Sequence, residues 1–483
     1  MRGRLLAAAG AAALLGGQAQ ADTLREALVR VYETSPTLAA QRAQLRQLDE
    51  GVAVARSQGR PQVSGITSLN QDAFVTGPQR TGRSLTVGAD VSFPLYTAGR
   101  VGNSIRAADE RVLAGRADLR AVEGDTFTEA VSAYMDVIRD SSIVELNRNQ
   151  VEVLETNLQA SRDRFEVGDL TRTDVAQSEA RLALARSNLT SVEGQLVASQ
   201  ENYLRVIGDA PDNLQPPEPL PPLPGTAEQA VDVAVGNSPD LISISRQIRA
   251  AGLDIDITRA GRLPSVSALG SLTHVNALGS GGGGGNGLGG SVSSGGVGLR
   301  ATVPLYQGGL VGAQVRQAQA FQNQLLEQAV AVERGVVASA RSAFAFYQAA
   351  REAIESNEIA VSANALALEG TRAEQSVGTR NILDVLNAEQ ELLNSQVALV
   401  SARRDAYVAG FQLLNAMGRA EADDLNLDGG ALYDPVANYD RVSRRASDWA
   451  DDPTPVATST RTVMGPSPIA PAAQTGPVTD VQP

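Results

Sequence analysis

The stretch Phe93-Pro94-Leu95-Tyr96-Thr97-Ala98-Gly99-Arg100 decides the fold, because the chain contains a version of it twice. The second version, Val303-Pro304-Leu305-Tyr306-Gln307-Gly308-Gly309-Leu310, lies 210 positions on (304 − 94). Before the first copy, Leu85, Val87, Ala89, Val91 and Phe93 alternate with polar or small residues; before the second, Val297, Leu299, Ala301 and Val303 do the same. After each copy begins a long Ala- and Gln-rich segment with helical spacing. A period of two giving way to a helical period marks a strand-to-helix junction. Proline has no N–H to donate, so it suits the point where strand bonding stops before helical bonding begins. The expected joints are therefore Pro94, Tyr96 and Gly99 in one copy and Pro304, Tyr306, Gly308 and Gly309 in the other.

The duplication extends outward from these joints. A helical segment from Thr23 to Val54, broken at Ser35-Pro36, is repeated as Ala227 to Ile257, broken at Ser238-Pro239. Here the offset is 203 (239 − 36), so the loops between matching elements differ by seven residues (210 − 203). Partner strands are expected near Gln62 to Asn70 and Ser265 to Val275. A loop running from Gly281 through Gly285 to Gly296 is read as too flexible for an ordered site. The organisation expected is a first repeat over 22–210, a Pro-rich linker over 211–225 and a second repeat over 226–420. The acidic, Pro-rich tail over 421–483 is expected to be disordered. Residues 1–21 read as a secretory signal, with Arg2 and Arg4, an apolar run from Leu5 to Gly17, and Ala19-Gln20-Ala21 as cleavage site.

Composition narrows the function. The net charge of −13 argues against a nucleic-acid partner. All 41 basic residues are Arg, which biased codon usage explains. With no Cys, thiol redox chemistry, Cys-based zinc sites and a lipid anchor on Cys are excluded. No cofactor is expected. No segment after the leader has 18 consecutive apolar residues, so a membrane-embedded form has to be a β-barrel. Four strands cannot close a barrel. Two chains give eight strands and a filled interior, whereas three give twelve and a lumen. A trimer is the smallest solution with a pore.

The segment Val101 to Glu166 contains no Pro and as one helix spans ~100 Å, far more than a hydrocarbon layer of ~30 Å. It is expected to project into an aqueous compartment. Ala130, Val137, Val144, Val151, Leu158 and Phe165 fall seven apart, as do Val311, Ala318, Leu325 and Val332. The return helices carry Val175, Leu182, Leu189, Leu196 and Tyr203, and Val385, Leu392, Leu399, Ala406 and Leu413. Steps of seven indicate helices packed side by side in a left-handed supercoil.

Each long helix meets its return helix at a short turn: Val167-Gly168-Asp169-Leu170-Thr171-Arg172-Thr173-Asp174 and Val377-Gly378-Thr379-Arg380-Asn381-Ile382-Leu383-Asp384. The glycines suit left-handed helix ends, and Thr171 and Asn381 suit N-caps with an Asp three residues on. Capping accounts for both Asp residues. It is compatible with a second role, because three copies of Asp384 around a threefold axis favour cations.

The paired PLY joints, the Val-Gly turns followed by Asp-Val, and the run from Val303 to Ala320 resemble the TolC family of outer-membrane exit ducts. The resemblance covers about Asp22 to Arg419. It implies an α+β membrane protein: a homotrimer with a twelve-stranded outer-membrane barrel continued by a periplasmic α-helical barrel. It also implies a periplasmic adaptor and an inner-membrane pump, proton-driven or ABC type, as partners. The family's constriction acid falls on Asp384; its second acid falls on Asn387, a departure that halves the ring charge. The family's gating links fall on Thr173, Asp174 and Arg380, while the Tyr expected opposite Asp174 is Gln375. Val167, Gly168, Val377 and Gly378 match the adaptor-docking tips. The function implied is a passive exit duct for efflux or type I secretion. A trimeric coiled-coil envelope protein without a pore is the alternative, although it leaves the paired strands unexplained. An enzyme is disfavoured: the lone His274 has no Cys or second His to assist it.

Overall fold

The computed structural model describes residues 22–71, 83–278, 291–427, 432–459 and 461. Residues 1–21, read above as a secretory signal, most of the Gly-rich loop, and 462–483 of the tail lie outside the described residues. The elements run α1 (Leu24–Thr34), α2 (Pro36–Ser57), β1 (Gln62–Gln71), β2 (Arg83–Tyr96), α3 (Arg100–Glu166) and α4 (Arg172–Ile207). The same order then recurs as α5 (Ala227–Asn237), α6 (Pro239–Arg259), β3 (Ser265–Ala277), β4 (Ser291–Thr302), α7 (Leu310–Ser376) and α8 (Ile382–Ala416). A short α9 (Ala437–Val442) follows. No described helix is long and apolar enough to cross a membrane.

The four strands form one antiparallel sheet in the order β1-β2-β3-β4. Its register sorts the side chains. Val63, Thr67 and Leu69 share a face with Leu85, Val87, Val91, Phe93, Ala268, Leu272, Val297 and Leu299. The opposite face carries Ser64, Ser68, Thr86, Asp90, Ser92, Ser267, Ser271, Thr273 and Arg300, with Ile66 and Leu269 among them. Among the described residues the apolar face is uncovered: Val63, Leu272, Val297 and Leu299 are all exposed, Val297 at 94%. Both edges, β1 and β4, are open within one chain. His274 sits on the apolar face near its far end, its Nδ1 2.8 Å from Ser293 Oγ on β4.

One reading of the joints needs correction. The strand does not stop at Pro94 but continues to Tyr96, with a bulge between Pro94 and Tyr96. Proline is tolerated there because β1 ends opposite Ser92, leaving that side of β2 unpaired. The extra residue, Leu95, turns Tyr96 onto the apolar face of Phe93, as its pairing with Val266 shows. At the second joint β4 ends at Thr302, before Pro304. The Gly-rich loop was also drawn too long: Ser291 to Gly296 are strand, held by pairing with β3 rather than by their own propensity.

The helices pack as two hairpins, α3–α4 and α7–α8, with α1, α2, α5 and α6 laid against them. The main core lies at mid-height of α3. Phe127, Val131, Tyr134 and Val137 meet Leu28 and Val31 of α1, Tyr203 and Ile207 of α4, and Phe411 and Leu414 of α8. The linker over 211–225 is a packed strap. Tyr134 donates its hydroxyl to the Gln215 carbonyl (2.7 Å), and Tyr407 donates to that of Glu218 (3.1 Å). Along α3, Arg139 bridges Asp136 (2.9 Å) and Asp140 (2.7 Å), and Arg404 of α8 reaches Asp136 at 2.8 Å. The long helices differ in burial. α3 buries residues along its whole length, whereas the 67 residues of α7 bury only six, and Phe346, Ile359 and Leu366 stand exposed.

The tail expectation also fails over 421–427 and 432–452. This segment packs along α2 and α3 with Leu427 and Val442 buried. Ala422 N–H donates to Glu123 (2.6 Å), and burial pushes the Glu123 carboxyl up to about 7. Tyr433 N–H donates to the Tyr32 hydroxyl (3.0 Å), Asn438 to buried Asp49 (2.7 Å), and the Tyr439 hydroxyl to Asp109 (2.9 Å). Tyr433 and Tyr439 rest on a cluster of Leu45, Val52, Val112 and Leu119. A segment too polar to fold by itself needs only a few such anchors when a groove is already built. Tyr439→Ala is therefore expected to cost ~1–3 kcal/mol. It should also abolish amide-exchange protection over 433–445, and unchanged protection there would show that the ring is not the anchor.

Candidate functional site

The first hairpin tip is closed by backbone geometry. Gly168 adopts φ +85°, its N–H donates to the Phe165 carbonyl (3.0 Å), and Asp169 N–H donates to that of Arg164 (2.9 Å). This pair of bonds satisfies the last carbonyls of α3 and requires a left-handed residue. The second tip repeats it: Gly378 has φ +82° and donates to Gln375, while Thr379 donates to Glu374, both at 3.0 Å. Val167 and Val377 stand exposed at 80% and 74% beside these glycines. No atom lies within 4 Å of where a Cβ would project from either glycine, so both turns present bare backbone.

The two Asp residues that follow differ in employment. Asp174 accepts from the Thr171 N–H (2.9 Å) and hydroxyl (2.8 Å), while its own N–H donates to Thr171 Oγ1 (3.3 Å). These bonds hold its carboxyl below the usual carboxylate range. At Asp384 only half of that arrangement forms: its N–H donates to Asn381 Oδ1 (3.2 Å). Its carboxylate is 40% exposed, with Arg380 Nη1 3.9 Å away. Arg380 is held chiefly by Glu374, Nε to Oε2 at 2.8 Å.

The remaining positions are placed as follows. Asn387 is exposed and accepts from Arg181 of α4 at 2.8 Å, a link between the hairpins. Thr173 is exposed on the first turn of α4, and Gln375 is half-buried. Among the described residues no hydrogen bond joins Asp174 to Gln375; Asp174 is occupied by Thr171.

One residue here escaped the sequence reading. Glu389 of α8, with its side chain 2% exposed, accepts from Asn157 of α3 at 3.0 and 3.1 Å and from Arg372 of α7 at 2.9 Å. It ties three helices together just above the tips. Next to it, Leu386 packs with Val151, Leu154, Leu158 and Leu182. The available signal was position: Glu389 is four residues after Val385, on the stripe that faces the neighbouring helices.

At the joints, Gly99 (φ +81°) and Gly309 (φ +82°) stand immediately before α3 and α7, preceded by Ala98 (φ 53°) and Gly308 (φ +61°). Two successive left-handed residues turn each chain from sheet to helix. Gln307 secures the second joint by donating to the Gly261 carbonyl (3.1 Å).

Comparison with known proteins places this architecture. The model of the "Outer membrane efflux protein" family matches residues 27–209 and 230–419. The outer membrane efflux protein BepC of Brucella suis is 34% identical over 430 residues, covering 89% of this chain and 92% of BepC. The outer membrane protein TolC of Vibrio cholerae is 26% identical, covering 85% and 94%. Among solved structures, the outer membrane protein VceC of Vibrio cholerae superposes with a TM-score of 0.70 at 20% identity, over 82% of this chain and 96% of VceC. The sheet and long hairpins thus sit in a known frame: this chain belongs to the outer membrane efflux protein family and is an exit duct of the outer membrane that extends into the periplasm.

Proposed function

We propose that three copies of this chain assemble into a passive duct that carries substrates from an inner-membrane pump through the periplasm and outer membrane. The observation that supports this best is the sheet. It has one apolar and one polar face and, among the described residues, two open edges and an apolar face left exposed. In lipid those edges have to be paired, and repetition of the chain pairs β4 of one copy with β1 of the next. The apolar face then meets lipid and Asp90 and Arg300 face the lumen. The sparsely buried α7 finds its second neighbour in the adjacent copy in the same way.

In this reading the chain is an internal duplication, with repeats over 22–210 and 226–420 joined by the strap over 211–225. It performs no catalytic step. The bare turns at Val167-Gly168 and Val377-Gly378 are docking points for the hairpins of a periplasmic adaptor, and Asp384 lines the constriction that the docked adaptor widens. Asp384 suits that position because its carboxylate is only partly employed by its own helix. Of the other gate positions that the family resemblance assigns, Thr173, Asp174, Gln375, Arg380 and Asn387, it is Arg380 that approaches Asp384, at 3.9 Å. Asn387 carries no charge to add to the ring and is engaged by Arg181 instead.

Three measurements test the assignment. In planar bilayers Asp384→Ala is expected to raise single-channel conductance or weaken block by divalent cations, and unchanged traces would remove Asp384 from the constriction. Replacing Gly168 and Gly378 together by Val forces a branched residue into φ near +80°, a strain of ~1–2 kcal/mol per site. Export should be lost with trimers retained; normal export would refute docking at the tips. Glu389→Ala strips Asn157 and Arg372 of their shared acceptor, at a cost of ~1–3 kcal/mol. The expected result is a higher open probability in an intact trimer, and wild-type gating would show that Glu389 does not restrain the hairpins.

A further inference from the structure

The described C-terminal segment climbs α2 towards the sheet. Its contacts occur in order along that helix: Tyr433 beside Arg42, Asn438 on Asp49, Ser443 on Arg56, then Arg444 and Arg445 on Arg60. At 1.5 Å per residue, the path from Arg42 to Arg60 rises ~27 Å. Its last rungs are hydrogen bonds from guanidinium groups to backbone. Arg56 Nη1 donates to the Ser443 carbonyl (3.0 Å), and Arg60 donates to those of Arg445 (2.5 Å) and Arg444 (3.2 Å). Arg60 stands two residues before Gln62, where β1 begins. The segment is thereby delivered to the base of the sheet.

There it forms a clamped loop. Asp452 turns back to Arg441 at 2.9 Å and to Arg445 at 3.1 Å. These two cations hold the Asp452 carboxyl down at about 2, so the clamp is charged throughout the physiological range. Between Arg445 and Asp452 the loop presents Trp449, the only tryptophan of the chain, at 95% exposure. Trp449 is four residues past Arg445, within ~14 Å of the point where Arg60 holds the chain. Arg444, five residues before it, is exposed and makes no side-chain ion pair among the described residues. The base of the sheet itself carries Tyr96, turned onto the apolar face by the bulge, and Tyr306, four residues past the end of β4 and 88% exposed.

A fully exposed indole held on an ion-paired loop is costly to leave in water and suits a surface that is apolar on one side and wet on the other. Tryptophan and tyrosine collect at membrane–water interfaces for this reason. We propose that the 443–452 loop is a membrane-interface anchor, which seats Trp449 in the phospholipid headgroup zone at the periplasmic base of the barrel, with Arg444 beside the lipid phosphates. The tail thus fixes the depth at which the duct sits in the bilayer and braces α2 against it. The inference rests on the sheet being membrane-embedded.

The test uses the full-length protein in vesicles of phosphatidylethanolamine and phosphatidylglycerol, where a single tryptophan supplies all indole emission. Phospholipids brominated near the headgroup are expected to quench roughly half or more of it, lipids brominated deep in the chain far less, and aqueous acrylamide weakly. Asp452→Asn loosens the clamp without touching the core, so lipid quenching should fall and acrylamide quenching rise. Strong acrylamide quenching in the unaltered protein, with none from lipid, would overturn the anchor. So would protection from both quenchers, which would place the indole against a neighbouring copy. In a Trp449→Phe background, Val297→Trp reports on the barrel wall alone. Quenching there by deep bromines establishes an embedded barrel whatever Trp449 does, and its absence would locate the failure in the barrel reading instead.

Discussion

The constraint on which the structure depends is the unpaired backbone along β1 and β4. Every strand in a hydrocarbon layer has to bond on both sides, and a four-stranded sheet leaves two rows of N–H and C=O groups without partners. Neither face offers a core to compensate, since one is apolar and uncovered and the other is lined with serines and threonines. A single copy of this chain is therefore an incomplete object in its own solvent. On the proposed assembly, its completion by further copies is a condition of the fold and not an addition to it.

The helical part obeys a softer version of the same rule. α3 finds neighbours within its own chain, and its mid-height core of aromatic and aliphatic side chains is dry. α7 exposes several large apolar residues that water does not favour. Between these extremes the hairpins are joined by polar groups: Arg181 to Asn387, Asn157 and Arg372 to Glu389, Arg404 to Asp136. Such links hold geometry but release more readily than interdigitated aliphatics. On the proposed function, that suits walls which stand firm at the middle and part at the tip.

Much of this was legible because the chain is written twice. Alternation over Leu85 to Phe93 and Val297 to Val303, the heptad steps and the glycine turns all emerge from local periodicity. What stayed hidden depended on distant partners. The opening residues of β4 are serine and glycine, and only pairing with β3 makes them a strand. Pro94 marks the last stretch of its strand, yet the bulge that reorients Tyr96 is visible only in the register with Val266. The order of the tail is not visible in its composition, because an average conceals a few well-placed anchors, Tyr433, Tyr439 and Val442, which borrow a groove made elsewhere. Glu389 is not legible in the sequence because a buried acid is recognisable only once its donors, Asn157 and Arg372, are known. The capping of Asp174 was foreseen, whereas the incomplete box at Asp384 was not, since both turns read alike.

The pairing of β2 with β3 also has a consequence for how the protein is made. Each two-strand hairpin is local, but the seam between them matches Asp90 with Ser271, so half of the wall is joined to the other half across an entire helical hairpin. Long-range strand pairing is slow, because the intervening chain has to be ordered first. The first hairpin therefore waits, sticky on one face and open at its edge, while everything from α3 to α6 is delivered and folded. A membrane wall assembled in this order has a vulnerable interval built into it, and a cell that makes this protein has to shelter the chain until the seam can close.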